Sequence, residues 1–202
     1  SDISTGEYGD KSDRDERYWA AAQLYRATGS SKYESALNSM AVCTGMDWAT
    51  VGDYGNIALL TSDSISKSSS AYTKAKSAVL TQADQLLSKS GSSPYGVALS
   101  KYDWGSNMTV ANPGIILGLA YQLTDQNAAN AQLDYLLGVN PVGECFFTGY
   151  GTVSPENPHH RPSMAVGKAM PGMLVGGVNQ NLEDSAAKAY CQDLPAAKRY
   201  VD

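Results

Sequence analysis

Both histidines of the chain stand side by side in Pro158-His159-His160-Arg161-Pro162, inside a stretch rich in Gly and Pro. Two imidazoles and a guanidinium concentrate hydrogen-bond donors suited to sugar hydroxyls or to orienting a carboxylate. Adjacent histidines point in different directions, and no Cys or second His pair completes a zinc set, so the motif does not read as a metal site. A satisfied pair in a rigid turn is the alternative. A second group, the run from Thr5 to Glu16, places Glu7, Asp10, Asp13, Asp15 and Glu16 in a Gly-containing loop. Carboxylates are the hard oxygen donors that calcium takes about six to eight at a time, although the EF-hand spacing is missing. The same acids would also suit the start of a helix, with Asp13 or Asp15 as its cap. A third group, Tyr102-Asp103-Trp104-Gly105-Ser106-Asn107, sets a tryptophan beside Gly and Asn. An exposed indole there offers a flat face for a sugar ring; a core tryptophan is the alternative.

Helices must position these groups. Tyr18, Trp19, Ala22, Leu24 and Tyr25 recur at helical spacing across 15–27, and Gly29 supplies a stop. Further helices are expected over 31–42, from Gly55 through Leu60, over 70–87 with Gly91 as terminator, from Asn112-Pro113 to Leu123, and over 127–137. Strand signals are weak, and 165–178 reads as loop because Gly167, Pro171, Gly172, Gly176 and Gly177 interrupt it. The pattern is antiparallel helical hairpins. Two segments, 90–107 and 140–177, have no regular pattern, and loops of that length in a compact fold are usually functional or disordered. Their Trp, Tyr, His and Pro content favours function.

Composition narrows the partners. The 202 residues carry 15 basic and 20 acidic side chains, a net charge of −5 with no basic run, which argues against nucleic acid. The longest apolar stretch, 113–123, is far short of the roughly 20 residues that span a bilayer. No signal peptide opens the chain, so a targeting segment is expected to be removed or to lie outside these residues. Cys43, Cys145 and Cys191 are too few and too far apart for a disulfide scaffold. Tyr, Ser, Asn and Gly are plentiful while charge is low, a polar surface that suits a secreted protein and hydroxyl-rich ligands.

In this order, the segments resemble glycoside hydrolase family 9, the inverting β-1,4-glucanases. The resemblance is carried by Thr5–Asp10 with Asp15-Glu16-x-x-Trp19, Leu24–Gly29, Tyr102–Asn107, Leu133–Pro141, Thr148-Gly149-Tyr150-Gly151, Pro158–Arg161 and Pro171–Gly177. It runs almost end to end. It implies an all-α (α/α)6 barrel, a six-hairpin toroid, with residues 1–202 as the C-terminal portion of one catalytic domain. About six or seven helices are readable, where a closed barrel needs roughly twice that number. A length that alone fits a whole domain then corresponds to about half of one.

The resemblance also implies roles. His159 and Arg161 would contact the glucan or orient the catalytic acid, and Trp104, with Trp48 as a further candidate, would stack on sugar rings. Asp10, Asp15 and Glu16 would bind a structural calcium, with Thr5 a candidate backbone ligand and Asp47 or Asp53 completing the set. The expected partners are a β-1,4-glucan or cello-oligosaccharide and the N-terminal half of the same domain. Family chemistry uses two carboxylates about 6.5–9.5 Å apart, one activating water and one protonating the leaving oxygen. The D-A-G-D-type motif of the base is absent, and the N-E motif of the acid would follow Tyr200-Val201-Asp202. Glu144, Glu156 and Glu183 lack that context, so these residues by themselves are expected to be inactive. The alternatives are an exo-acting relative (cellobiohydrolase, β-glucosidase or glucosaminidase) or a non-catalytic carbohydrate-binding helical module.

Overall fold

A computed structural model describes residues 11–124 and 129–202. The chain divides into two compact units, 1–82 and 83–202. Among the described residues the regular structure is helical, apart from an isolated antiparallel bridge between Phe147 and Leu174.

In the first unit, α1 (Arg14–Thr28) packs against α2 (Ser31–Ser39) and α3 (Gly52–Leu60). Tyr18, Ala21, Ala22 and Tyr25 form the buried stripe of α1, at the spacing that keeps side chains on one helical face. Gly29 ends α1 in the left-handed conformation (φ 62°), its N–H bonded to the Tyr25 carbonyl at 2.8 Å. Asp13 occupies the cap position but makes no side-chain cap bond; its carboxylate instead accepts from Arg17 Nε at 2.7 Å. Helix α2 stops at Ser39, short of the expected Val42, and α3 starts at Gly52, a turn before the expected Gly55. Close backbone approach explains the glycines of α3. A Cβ at Gly52 would lie 2.3 Å from the Cys43 carbonyl carbon, and one at Gly55 would lie 2.8 Å from the Tyr18 ring.

Helix α4 (Ser70–Gly91) contributes residues to both units, burying Ala71, Tyr72, Ala75 and Val79 in the first and Ala83 in the second. The second unit adds α5 (Ser106–Thr124), α6 (Asn130–Leu136), α7 (Arg161–Val166), α8 (Ser185–Cys191) and a single 3-10 turn, Ala196–Lys198. Its apolar core gathers Val97, Val110, Tyr135, Leu136, Phe146 and Val178. Tyr135 and Phe146 stack tilted at 6.1 Å, and Tyr200 meets Phe146 edge-on at 5.2 Å.

Three further sequence expectations need correction. Helix α5 begins at Ser106, well before Asn112-Pro113, and carries Pro113 inside it. Its first turn is polar yet buried, because Ser106 Oγ donates to the Val178 carbonyl at 2.6 Å and Asn107 N–H to the Gly176 carbonyl at 3.1 Å. The segment 140–177 is not wholly irregular, since α7 lies within it; Ala165 and Val166 close that helix and Gly167 caps it at φ 65°. The helical series also continues past 137, to α8, whose cap Asp184 accepts the Ala187 N–H at 2.6 Å.

Candidate functional site

The irregular segments of the second unit are stitched to one another by side chain to backbone bonds. Asn140 saturates its amide: Nδ2 donates to the carbonyls of Tyr135 (2.7 Å) and Glu144 (2.8 Å), and Oδ1 accepts from Val142 N (3.1 Å) and Gly143 N (2.8 Å). Thr148, with no exposed surface, bonds through its backbone to Met173 O (3.0 Å) and Gly172 N (2.8 Å). Its hydroxyl donates to the Met170 carbonyl and accepts from Met173 N at 2.9 Å. Gly149 sits at φ 75°, and a Cβ there would come 3.1 Å from Pro171. The Thr148-Gly-Tyr-Gly and Pro171–Gly177 segments are therefore one bonded layer. Asn107 joins it: Nδ2 donates to the Val175 carbonyl at 3.0 Å, and Gly177 at φ 82° is the residue whose Cβ would strike Asn107 Cγ at 2.3 Å. Among the described residues, the buried Asn107 Oδ1 finds no donor.

Trp104 projects from this assembly with 57% of its surface exposed, so the indole is not a core residue. The loop bearing it is held by Gln180 Nε2 donating to Asp103 Oδ1 at 3.1 Å. His159 and Arg161 are exposed, whereas His160 is half-buried and turns inward to cap α7. Beside His159 lies an open cavity of about 440 Å³, lined among others by Glu156, Asn157, Ser163, Met164 and Lys168. The fold thus brings His159, Arg161 and Trp104 into one cross-bonded set of loops. Trp48 belongs to the first unit and is 47% exposed.

Thr5 and Asp10 lie outside the described residues. The remaining candidate calcium ligands are all in the first unit. Asp15 Oδ2 accepts from Val51 N at 2.6 Å, and that bond, chiefly, holds its carboxyl below the ordinary range. Glu16 is exposed. Asp47 Oδ1 accepts from Ala49 N and Thr50 N, both at 2.8 Å, closing the turn that delivers Val51 to Asp15. Asp53 is 1% exposed, and both its oxygens are engaged: Gly45 N at 2.8 Å, Asn56 Nδ2 at 2.7 Å and Gln82 Nε2 at 2.9 Å. An aspartate whose two oxygens are both taken by N–H donors does not suit a cation, whereas the N–H donors on Asp47 share its Oδ1 alone. Among the described residues, no three or more His, Cys, Asp or Glu side chains form a group set to hold a metal.

Sequence reasoning passed over two residues of the site. Asp202 accepts from Glu156 N at 2.6 Å and Asn157 N at 3.2 Å, fixing the loop that enters Pro158-His159. Burial, then the Asp202 carboxylate and Glu144, push the neighbouring Tyr200 phenol far above its ordinary value, so it stays protonated. Ser163 bonds both His160 and Met170. Pro162 just after a polar residue was the available signal, since proline favours the first turn of a helix. Of the late glutamates, Glu183 Oε2 accepts from Asn179 Nδ2 at 2.9 Å and Glu156 lines the cavity.

The helical fold of the described residues has counterparts among glycosidases of known structure. AaCel9A, solved in complex with cellobiose-like isofagomine, matches with a TM-score of 0.77 at 36% identity over 98% of this chain and 40% of that one. GH family 9 endoglucanase J30 matches with a TM-score of 0.82 at 27% identity over 98% and 39%. In sequence, endoglucanase D of Acetivibrio thermocellus is 35% identical over 190 residues, 88% of this chain and 30% of that protein. The cellodextrinase of Butyrivibrio fibrisolvens is 29% identical over 226 residues, 98% and 41%. Residues 1–202 match the Glycosyl hydrolase family 9 profile throughout, and the chain belongs to that family. It spans 41% or less of the length of these two curated relatives, and therefore carries part of the (α/α)6 toroid.

Proposed function

We propose that this chain is part of a secreted, inverting β-1,4-glucanase, an endoglucanase acting on cellulose, and forms one wall of its cleft. The observation that carries the reading is the cross-bonded loop set, which bears Trp104, His159 and Arg161 exposed, with His159 lining an open cavity. Trp104 would stack on a glucosyl ring, and His159 and Arg161 would bond its hydroxyls or the catalytic acid. The water-activating base and the protonating acid belong to segments outside residues 1–202. The complete protein should cleave cello-oligosaccharides with inversion at the anomeric carbon, whereas residues 1–202 alone should be inert on carboxymethylcellulose. Hydrolysis by the 202 residues would sink the assignment of the two carboxylates. Release of a single short product from one chain end would move the parent to an exo-acting class.

We further propose a structural calcium held by Asp15 and Glu16, with Asp47 rather than Asp53 as the later aspartate, and with Asp10 and Thr5 as candidates beyond the described residues. Support comes from the oxygen chemistry of Asp15, Glu16 and Asp47, and from the N–H donors that occupy both oxygens of Asp53. The ion would tie the start of α1 to the 47–51 turn. A chelator should lower the melting temperature of the complete protein, and Asp15→Ala should remove that sensitivity. Unchanged melting in chelator would discard the ion.

A further inference from the structure

His160 is the histidine to which the family resemblance gives no role, and it is the better held of the pair. Its Nδ1 lies 2.9 Å from Ser163 Oγ and 3.4 Å from Ser163 N. A backbone N–H can only donate, so the nitrogen facing it carries a lone pair and the ring proton resides on Nε2. Ser163 Oγ in turn accepts from Met170 N at 3.2 Å, which leaves its hydroxyl proton to point at Nδ1. The carbonyl of Met170 accepts from the buried Thr148 hydroxyl. Every donor in this chain of bonds thus has a defined direction, from the Thr148 layer to the imidazole. The backbone of His160 is clamped as well: its N–H donates to Pro158 O at 2.6 Å and its carbonyl accepts from Met164 N at 3.0 Å.

His159 and Arg161 are the residues on either side of this clamp. We propose that His160 is a positioning residue: as the Nε2–H tautomer it pins the start of α7 to the Ser163–Met170–Thr148 bonds, and so fixes the backbone from which His159 and Arg161 reach substrate. A serine or asparagine would cap the helix equally well by preference alone. What marks this residue is that its acceptor meets both the backbone N–H and the hydroxyl of Ser163, linking the cap to the neighbouring loop. The proposal rests on the reading of His159 and Arg161 as substrate contacts.

The test uses the complete protein, with cellotetraose as substrate. Nitrogen NMR of selectively labelled histidine, assigned by the signal lost in His160→Asn, should show an unprotonated Nδ1 and a protonated Nε2. That measurement is made on the unaltered protein and needs no variant to be active. His160→Leu, which has no acceptor, should lower kcat/KM about tenfold or more, the scale of a misplaced contact. His160→Asn, whose Oδ1 can stand where Nδ1 stands, should recover most of that loss. A proton on Nδ1 would overturn the proposal, as would an Asn variant that folds yet is as impaired as the Leu variant. If His159→Ala is crippled while His160→Leu is not, the positioning role falls and the substrate-contact reading stands. If both variants keep full activity, the substrate-contact reading falls and takes this proposal with it.

Discussion

Two polar networks in this chain use similar bonds to opposite ends. In the first unit, Tyr18 Oη donates to Asn56 Oδ1 at 2.7 Å, and Asn56 Nδ2 donates to the Cys43 carbonyl and to Asp53. Asp53 also collects Gly45 and Gln82. All the side chains are helix-borne and Tyr18, Asn56 and Asp53 are buried, so the network ties α1, α3 and α4 to the 43–45 loop. Burial first, then Cys43 and Asp53, push the Tyr18 phenol far above its ordinary value, so it remains a donor at any physiological pH. In the second unit the bonds around Thr148, Asn140 and Ser163 run mainly from side chains to loop backbone, and they leave Trp104, His159 and Arg161 outside. The first network spends its polarity on itself. The second immobilises irregular chain and leaves those side chains exposed to solvent.

That contrast can be broken by substitution. Asp53→Ala should have the largest effect on stability, about 3 kcal/mol, because it strands several donors that are buried or partly so; thermal unfolding would measure it. A loss below about 1 kcal/mol would show that water replaces the carboxylate and that the network is less closed than its geometry. Thr148→Val removes one hydroxyl with two partners and should cost about 1–2 kcal/mol. Its effect on turnover by the complete protein should exceed its effect on melting, because the loops that carry the site would loosen first. A melting loss as large as that of Asp53→Ala, with turnover intact, would erase the distinction between the networks. Trp104→Ala and His159→Ala should change stability by about 0.5 kcal/mol or less, as exposed side chains do. Both should nonetheless weaken cello-oligosaccharide binding, measured by calorimetry on the complete protein.

The helices were legible where burial follows spacing. Tyr18, Ala22 and Tyr25 with Gly29, and Ala75, Val79 and Ala83 with Gly91, announce α1 and α4 almost to the residue. Helix α5 was misread at its start because Ser106 and Asn107 are polar residues buried by partners about 70 positions away, Val178, Gly176 and Val175. Local pattern carries no trace of such partners. Helix α7 has six residues, too few to display a period. Within the candidate site, the types of His159, Arg161 and Trp104 are readable, and so is the motif string that reveals the family. The bonds from Thr148 through Met170 and Ser163 to His160 were not, since each depends on loops meeting in space. Nor does sequence show how Asp47 and Asp53 differ, since that lies in which N–H groups surround them.

The layer around Thr148 also bears on how the molecule breathes. Amides in segments without regular structure usually exchange with solvent quickly, as loops open at little cost. Here Thr148 N, Gly172 N and Met173 N find acceptors inside the layer, and Val175 N finds the neighbouring Phe146 carbonyl. Met170 N is likewise held by Ser163 Oγ. Their deuterium uptake should therefore be slow and should quicken together, as one cooperative patch, rather than residue by residue. A stretch without helix or sheet would then behave in exchange as if it were an element of secondary structure, with the backbone and hydroxyl of Thr148 at its centre.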